Sequence, residues 1–426
     1  MLKKIISLLK RPTNKDIMVN TLGNYIGVFF TALFALILVR ILDPSQYGVL
    51  SVLLGIAYVL SNVLDFGTTA TIYSSVPVLI NKQSKELFRF VKSIFIFQSL
   101  FSLIVIIILL VSFPYLDKVF FKTRAPIWEL YITCASVLFF IWQNFLSNIL
   151  LAAKKFLKVN LYINISNVLK TLVIFIMMST RTVGVGSIIF VFGVVGPLIF
   201  FLLIFLEKKN SILELLRSEI DKEEFKFRYT FTYFLASQFF NLGLRMDLFL
   251  LSYFRPKEEV GYYGLSQKII LTVTTTIISI TQVLSPRFSQ IHLKNDVKRL
   301  FKIAIAYMMI PTGLFIILFI LPHQIFDIFF TNKFSKTADI TKALSMPFIL
   351  YALGSIPMLF LLYTVKKPKY ILISNIIFFA IITLGSYYLI PIKGVFGPPT
   401  AIFFALLTAI LFQVLALIKE YRALPK

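Results

Sequence analysis

Apolar blocks of roughly 20 residues recur along the whole sequence, and they constrain the fold more than any other feature. A helix needs about 20 consecutive apolar residues to cross a hydrocarbon core about 30 Å thick. Of the 426 residues, 58% are hydrophobic, which is more than the interior of a soluble protein of this length requires. Because open strands would leave backbone groups unbonded in lipid, each span should be a helix. The sequence therefore predicts an all-α polytopic membrane protein.

The apolar blocks divide into twelve predicted spans, six before and six after a polar segment. The first six cover roughly 17–41, 48–80, 92–113, 127–151, 159–180 and 184–206. The last six cover roughly 229–253, 261–285, 303–322, 340–364, 370–391 and 394–418. We therefore expect a first lobe at 17–206 and a second lobe at 229–418, joined by a polar cytoplasmic linker at 207–228.

Both ends of the chain are short and basic. In the segment 1–16, Lys3, Lys4 and Lys10 alternate with apolar side chains, which is typical of an amphipathic helix on a membrane surface. Because twelve is an even number of spans, this segment and the tail at 419–426 lie on the same side of the membrane. That side holds 29 of the 43 Lys and Arg residues and the opposite side holds 11. The excess predicts that both termini are cytoplasmic. The expected location of the chain is the inner (plasma) membrane.

The net charge of +24 does not indicate a nucleic-acid partner. A nucleic-acid binder gathers its Lys and Arg residues on one face, whereas here they are spread over short loops between spans. Cys134 is the single cysteine and has no companion metal ligands. We expect no cofactor, although Na⁺ or H⁺ is a candidate coupling ion.

The two halves of the sequence repeat each other weakly. Gly48 follows the first span in LDPSQYGVLSVL, and Gly261 follows the seventh in FRPKEEVGYYGLSQ, so that half the length of the chain separates them. Phe88 and Phe301 match at the same offset. Because both halves begin on the same side, they should be parallel repeats about an axis along the membrane normal, an arrangement that suits a transporter. The expected fold is therefore two pseudo-symmetric lobes of six helices.

Five ordered motifs resemble the polysaccharide-exporter branch of the multidrug/oligosaccharidyl-lipid/polysaccharide (MOP) flippase superfamily, which includes the Wzx O-antigen flippases. They are VRILDPSQYGVLSVL, VLDFGTTATI, LAAKKFLKVNLYINISNVLKTL, RMDLFLLSYFRPKEEVGYYGLSQKI and PRFSQI. The resemblance implies a two-lobed transporter of twelve helices. It would move an undecaprenyl-pyrophosphate-linked oligosaccharide from the cytoplasmic to the outer leaflet, for O-antigen or capsule-type export. Expected partners are this lipid-linked oligosaccharide, the bilayer and the polysaccharide polymerase machinery.

Five ionisable residues lie inside the predicted spans: Asp65, Lys170, Arg245, Asp247 and Lys268. A charge at mid-membrane costs about 2.5–3.5 kcal/mol on insertion scales, so such residues normally face a wet cavity or one another. Three cations against two acids favour an anionic headgroup such as pyrophosphate, because fixed cations replace part of its hydration. The expected function is therefore transport of a lipid-linked anion.

The seventh span carries a polar stripe. Gln238, Asn241 and Arg245 are spaced i, i+3 and i+7, so they share one helix face. Asp247 lies on the opposite face. We predict that this stripe and Lys268 bind cargo and that Arg245 faces the cavity. Asp247 should pair with Lys268 or with a backbone group, and like Asp65 it is a candidate for ion coupling or charge balance. The alternative is that all three charged residues form one structural cluster.

The fifth span carries a longer stripe of Asn160, Asn164, Asn167 and Lys170. Amides suit sugar hydroxyls and a lysine suits phosphate, so we predict that Asn164, Asn167 and Lys170 bind cargo. Asn24 in the first span is a further candidate. The alternative for these amides is hydrogen bonding between helices.

Asp65 is the one acid in the middle of the first half. Its carboxylate can bind a coupling proton or Na⁺, or it can balance the charge of Lys170, and the sequence leaves these alternatives open. The whole chain should work by alternating access. Other cargoes of the same fold remain open, namely teichoic acid, lipid II or a drug exchanged for a cation. A membrane enzyme of polysaccharide assembly is less favoured, because the outer segment 323–340 has no paired carboxylates or metal ligands.

Overall fold

The structure is a computed structural model that describes residues 12–65, 67–80, 84–220, 227–289, 291 and 293–425. Regular structure in these residues is helical, and no strand occurs among them. The prediction of an all-α protein is therefore confirmed. Of the amphipathic segment predicted at 1–16, residues 1–11 lie outside the described residues.

The helices are numbered here in chain order. Those of the first half are α1 (Pro12–Ile41), α2 (Pro44–Val63), α3 (Thr68–Leu79), α4 (Ser84–Leu116), α5 (Ile127–Ala152), α6 (Phe156–Ser179), α7 (Val185–Phe190) and α8 (Gly196–Arg217). Those of the second half are α9 (Phe227–Phe254), α10 (Lys257–Ser289), α11 (Lys294–Ile320), α12 (His323–Phe330), α13 (Thr337–Leu359), α14 (Lys369–Lys393) and α15 (Gly397–Arg422). One-turn π-helical segments follow α4, α7 and α13, at Asp117–Phe121, Val191–Val195 and Phe360–Thr364.

Ten helical stretches within the described residues are long and apolar enough to cross a membrane. The last of them, Lys369–Arg422, contains both α14 and α15, separated by a turn at Gly394–Phe396. The helix α9 is not among the ten, although its 28 residues are sufficient in length. The protein is therefore a multi-pass membrane protein, and the count of twelve spans stays a prediction.

The second predicted span, 48–80, is broken in the structure into α2 and α3. Gly67 adopts φ +74° at the break, a left-handed conformation that glycine reaches without steric cost. Asp65 then caps α3, because its carboxylate accepts hydrogen bonds from the Thr68 hydroxyl at 2.7 Å and the Thr69 amide at 3.3 Å. The prediction of one continuous helix over this span was wrong, because apolar residues continue on both sides of the polar stretch and hydropathy does not register a single left-handed residue.

Internal contacts divide the chain into two compact units. Unit 1 consists of Met1–Phe30, Leu53–Val119 and Arg124–Phe234, and unit 2 consists of Thr31–Val52, Phe120–Thr123 and Leu235–Lys426. The lobe boundaries at 17–206 and 229–418 stay a prediction.

Each unit has its own apolar core. In unit 1, one cluster joins α3, α4 and α5 through the buried side chains Ile72, Val76, Phe90, Ile94 and Phe145. In unit 2, large aromatic side chains are less than 2% exposed, among them Tyr263, Phe288, Phe315, Phe334, Phe360 and Phe378. The outward face of α4 is also apolar, with Leu100, Ile104, Ile108 and Val111 all exposed. An apolar exterior over a buried apolar core is what a bilayer solvent requires.

Within unit 2, α2 and α10 begin in direct backbone contact. A Cβ atom on Gly48 would overlap the carbonyl oxygen of Lys257, and a Cβ atom on Gly261 would overlap the carbonyl oxygen of Pro44. Pro44 and Lys257 have the same separation in the sequence as the two glycines. The contact is therefore reciprocal, as expected where two copies of a repeat meet across a two-fold axis.

Candidate functional site

Arg245, Gln267 and Asp247 form a hydrogen-bonded chain between α9 and α10. Arg245 Nη1 donates to Gln267 Oε1 at 2.9 Å. Gln267 Nε2 donates in turn to the two carboxylate oxygens of Asp247, at 3.2 and 3.1 Å, and to the carbonyl oxygen of Leu244 at 3.1 Å. The amide of Gln267 therefore stands between the cation and the acid, accepting from one and donating to the other.

Asp247 is fully buried, and uncharged groups satisfy its carboxylate. Besides Gln267, the hydroxyl of Tyr263 donates to it, and so does the amide of Leu248 at 2.6 Å. Tyr263 and Gln267 are one turn apart on α10 and share a face, whereas Lys268 points about 100° further round the helix. The predicted Asp247–Lys268 pair is therefore wrong, and the alternative partner, a backbone group, is present.

Lys268 is partly buried and lies within electrostatic range of Arg245, which carries the same charge. No ion pair within the described ranges joins Lys268 to an acid. Gln267 links Arg245 and Asp247 by hydrogen bonds, whereas Lys268 is related to Arg245 by electrostatic range alone, so the alternative of one structural cluster stays open. The hairpin of α9 and α10 thus carries two cations and one carboxylate, whose hydrogen bonds come from Tyr263, Gln267 and the Leu248 amide and whose charge acts on Arg245.

Lys170, Arg245 and Lys268 lie at similar distances from the predicted outer ends of their helices. Those ends are Ser179 for α6, Phe254 for α9 and Lys257 for α10. Each cation is about two and a half to three helical turns from its end, which is about 14–17 Å along the helix axis. In a hydrocarbon core about 30 Å thick, such a distance places a side chain near the middle.

Two further members of the predicted stripe on α9 differ in exposure. The side chain of Gln238 is buried, and that of Asn241 is exposed. Both precede Arg245 on the same helix face, two turns and one turn earlier respectively. Their part in cargo binding stays a prediction.

The amides of α6 contact α1. Asn164 Nδ2 donates to the carbonyl oxygen of Gly23 at 3.4 Å, and a Cβ atom on Gly23 would overlap the side chain of Asn160. These contacts match the alternative of hydrogen bonding between helices. Asn167 is buried and Asn24 is exposed, and their role in binding stays a prediction.

Lys170 is partly buried on α6, near the π-helical segment that joins α7 to α8. Its Nζ lies 5.2 Å from the centroid of the Phe192 ring, within range of a cation–π contact. Its aliphatic stem packs on Gly196, where a Cβ atom would come within 2.9 Å of Lys170 Cδ. No ion pair within the described part of the chain joins it to Asp65. The suggestion that Asp65 balances the charge of Lys170 without a direct contact stays a prediction.

Asp65 lies at the end of a crossing helix instead of the middle of a span. The 20 residues of α2 extend about 30 Å, which is already the thickness of the hydrocarbon core. The break at Gly67 therefore lies near the predicted cytoplasmic boundary. The expectation of an acid at mid-span was wrong, because it rested on the continuous helix that the structure does not have.

Sequence reasoning missed the neutral partners of the charged residues. Tyr263 and Gln267 hold Asp247, and Gln98 on α4 reaches Asp65 with its Nε2 at 3.4 Å. The signal was available for the first two, since a tyrosine and a glutamine spaced i and i+4 in an apolar span share a face. For Gln98, which comes from a separate helix, sequence spacing carries no comparable signal.

Comparison with known proteins gives one family match and several similar folds. A profile described as polysaccharide biosynthesis protein matches residues 14–292, which is more than half of the chain. No curated protein sequence matches significantly.

Three solved structures illustrate the shared fold. The lipid II flippase MurJ, in an inward closed conformation, aligns with a TM-score of 0.68 and 16% identity over 95% of this chain and 89% of its own. A multidrug resistance MATE family transporter of the MOP superfamily, inward-facing, aligns with a TM-score of 0.70 and 14% identity over 96% and 95%. A MOP superfamily transporter from Pyrococcus furiosus aligns with a TM-score of 0.65 and 14% identity over 97% of each chain. At such identities the likeness establishes the fold alone.

Proposed function

Because the chain belongs to the polysaccharide biosynthesis protein family, we propose that it flips a polyprenyl-pyrophosphate-linked oligosaccharide from the inner to the outer leaflet. The exported product would be a surface polysaccharide of the O-antigen or capsule type. The fold, which it shares with flippases and transporters of the MOP superfamily, supports transport as the activity. In this proposal the chain lies in the plasma membrane with both termini in the cytoplasm.

The pair of Arg245 and Lys268 is the observation that carries the proposal. Both cations are partly buried, and Lys268 lies within electrostatic range of Arg245. An anion bound close to the two would therefore be attracted by both charges. Asp247 does not serve as that anion for Lys268, since Tyr263, Gln267 and a backbone amide already satisfy its carboxylate. A pyrophosphate supplies several acceptor oxygens, which suit the planar fork of an arginine and the point charge of a lysine.

The proposed transport cycle is alternating access. The charged head enters from the cytoplasmic side while the polyprenyl tail stays in lipid. Lys170 of the first half stays a separate candidate for cargo binding, with the Phe192 ring beside its ammonium group. Sugars attached to the pyrophosphate would meet the amides of Gln238 and Asn241, which precede Arg245 on one face of α9. Fixed cations would replace the water that the head loses on entry.

The decisive experiment measures the leaflet position of lipid-linked oligosaccharide. Cells that lack the chain should accumulate it in the cytoplasmic leaflet, and the wild-type gene should restore its appearance in the outer leaflet. Arg245→Ala and Lys268→Ala should each reduce this appearance at least tenfold at equal protein abundance. Lys118→Ala, which removes an exposed cation from the predicted outer side, is the matched control and should behave like wild type.

Two results would overturn the proposal. The first is a normal amount of outer-leaflet oligosaccharide in cells that lack the chain. The second is full activity of both the Arg245→Ala and the Lys268→Ala variants, since no other described cations lie on the hairpin at that level.

A further inference from the structure

The break between α2 and α3 holds a carboxylate that no described cation pairs with. Asp65 makes no ion pair with any Lys or Arg of the described chain. It also follows the carboxyl end of α2, where the last backbone carbonyls carry the negative end of the helix dipole. Broken helices with carbonyl ends near an acid are a recurrent location of monovalent cations in transporters.

Oxygen-bearing side chains surround this carboxylate. Thr68 Oγ1 and Thr69 Oγ1 lie 2.7 and 3.0 Å from Asp65 Oδ1. Asn148 on α5 holds Thr69 in place, since its Nδ2 donates to Thr69 Oγ1 at 2.8 Å. Carboxylate, hydroxyl and amide oxygens are the ligands that hard cations select. Capping of α3 explains the two threonines, but it leaves the charge of Asp65 without a counter-ion among the described residues.

Gln98 gives a second and independent indication. Its side chain is 2% exposed and its amide lies against Asp65, with Nε2 3.4 Å from Oδ1. Its Oε1 is buried and has no hydrogen-bond partner in the described part of the protein. A buried acceptor without a donor is costly. Rotation of the amide by half a turn would bring Oε1 to face the carboxylate, an arrangement that is favourable only with a cation between the two oxygens.

We propose that Asp65, Gln98, Thr68 and Thr69 form a binding site for one Na⁺ ion at the α2–α3 break. One carboxylate matches one positive charge, whereas a divalent ion would leave an excess charge next to the hydrocarbon core. A metal ion takes several oxygen ligands at once, whereas a proton on Asp65 would bridge to a single acceptor. Because α2 spans about 30 Å, the ion would enter from the predicted cytoplasmic side. The site does not depend on the identity of the cargo.

Trp142 provides a local reporter for the experiment. Its Nε1 donates to the hydroxyl of Ser99 at 3.0 Å, next to Gln98 on α4. The chain has two tryptophans, so Trp128→Phe leaves Trp142 as the single one. In purified full-length protein of this background, NaCl at constant ionic strength and pH should change the fluorescence saturably. Choline chloride should not.

Direct binding of ²²Na⁺ to the same protein should saturate at one ion per chain. Asp65→Asn and Gln98→Leu should each weaken the affinity at least tenfold in both measurements. Asp296→Asn, which removes an exposed acid on α11, is the control and should leave binding unchanged. Gln98→Glu adds a second carboxylate, so Ca²⁺ should now compete with ²²Na⁺, which gives a gain of binding that a misfolded variant cannot show.

Three outcomes would overturn the assignment. The wild-type chain could bind no ²²Na⁺, Asp65→Asn could bind it normally, or the fluorescence could follow pH alone and ignore Na⁺. Each of these would remove the Na⁺ site and leave the flippase proposal standing, because the leaflet assay does not use this measurement.

Discussion

Gly48 and Gly261 meet backbone to backbone at the start of α2 and α10, each against the carbonyl oxygen of the residue four positions before the other. The two glycines are equivalent positions of the internal repeat, separated by half the length of the chain. No side chain fits between the two helices at this point, so only glycine permits the approach. The repeat in the sequence thus corresponds to a physical contact between its two copies.

Substitution of either glycine by alanine should destabilise the protein. Gly261→Ala places a methyl group on the Pro44 carbonyl, and overpacking of this kind costs about 1–3 kcal/mol. The melting temperature of the purified protein should fall. Gly313→Ala on α11 is the control, because a Cβ atom there meets no atom within 4 Å, and it should be neutral or slightly stabilising. Equal melting temperatures for Gly261→Ala and wild type would contradict the contact.

Tyr263→Phe should destabilise the hairpin of α9 and α10. The variant removes a donor from the fully buried carboxylate of Asp247, and a buried acceptor that loses its donor costs about 1–3 kcal/mol. Thermal unfolding of the purified protein measures the effect. Tyr388→Phe removes a hydroxyl from a side chain that is 66% exposed and should leave the melting temperature unchanged. A matching loss in both variants would argue against a specific role for Tyr263.

Lys268→Leu should raise thermal stability and lower transport. Removal of a partly buried cation that Arg245 repels should stabilise the fold by about 1 kcal/mol, equivalent to about 2–4 °C in a large domain. The same change removes a proposed ligand of the pyrophosphate, so the outer-leaflet signal should fall. Lys393→Leu, at an exposed position that ends α14, should change neither quantity. A loss of both stability and transport in Lys268→Leu would indicate a structural role instead.

Lys257→Met should expose the segment that follows α4 to trypsin. Lys257 Nζ donates to the carbonyl oxygens of Phe121 at 2.7 Å and Ser252 at 2.6 Å, which fastens this segment to the start of α10. Lys122 and Arg124, both potential cleavage sites, are held with positive φ next to it. Limited proteolysis should therefore cut the variant there faster than wild type. Lys342→Met, elsewhere on the predicted outer side, should digest at the wild-type rate.

The fold was largely predictable from the sequence, because each apolar block of sufficient length has one favourable structure in lipid. The exception is the break at Gly67, where apolar residues continue beyond the polar residues Asp65, Thr68 and Thr69. Its cause is the positive φ of Gly67 and the capping of α3 by Asp65, and hydropathy reports neither backbone conformation nor hydrogen bonding.

The candidate site was predictable only in part. Arg245, Asp247 and Lys268 were identified because charge is rare in a span. Their partners were not identified. Asp247 accepts hydrogen bonds from Tyr263 and Gln267, and a search of the sequence for charged residues does not find these two neutral ones. Helical spacing places residues on faces, but it does not determine which face of α10 turns towards α9, and so it could not exclude the Asp247–Lys268 pair.

The end of α2 at Val63 also determines where α3 should lie relative to the bilayer. Since the length of α2 alone matches the hydrocarbon thickness, we expect the 12 residues of α3, about 18 Å long, to lie at the level of the lipid headgroups. Ile72 and Val76 are buried against α4 and α5, while Tyr73 is 44% exposed on the other side. Tyrosine is enriched at membrane–water interfaces, so with the predicted orientation we expect Tyr73 to anchor this short helix at the cytoplasmic surface of the bilayer.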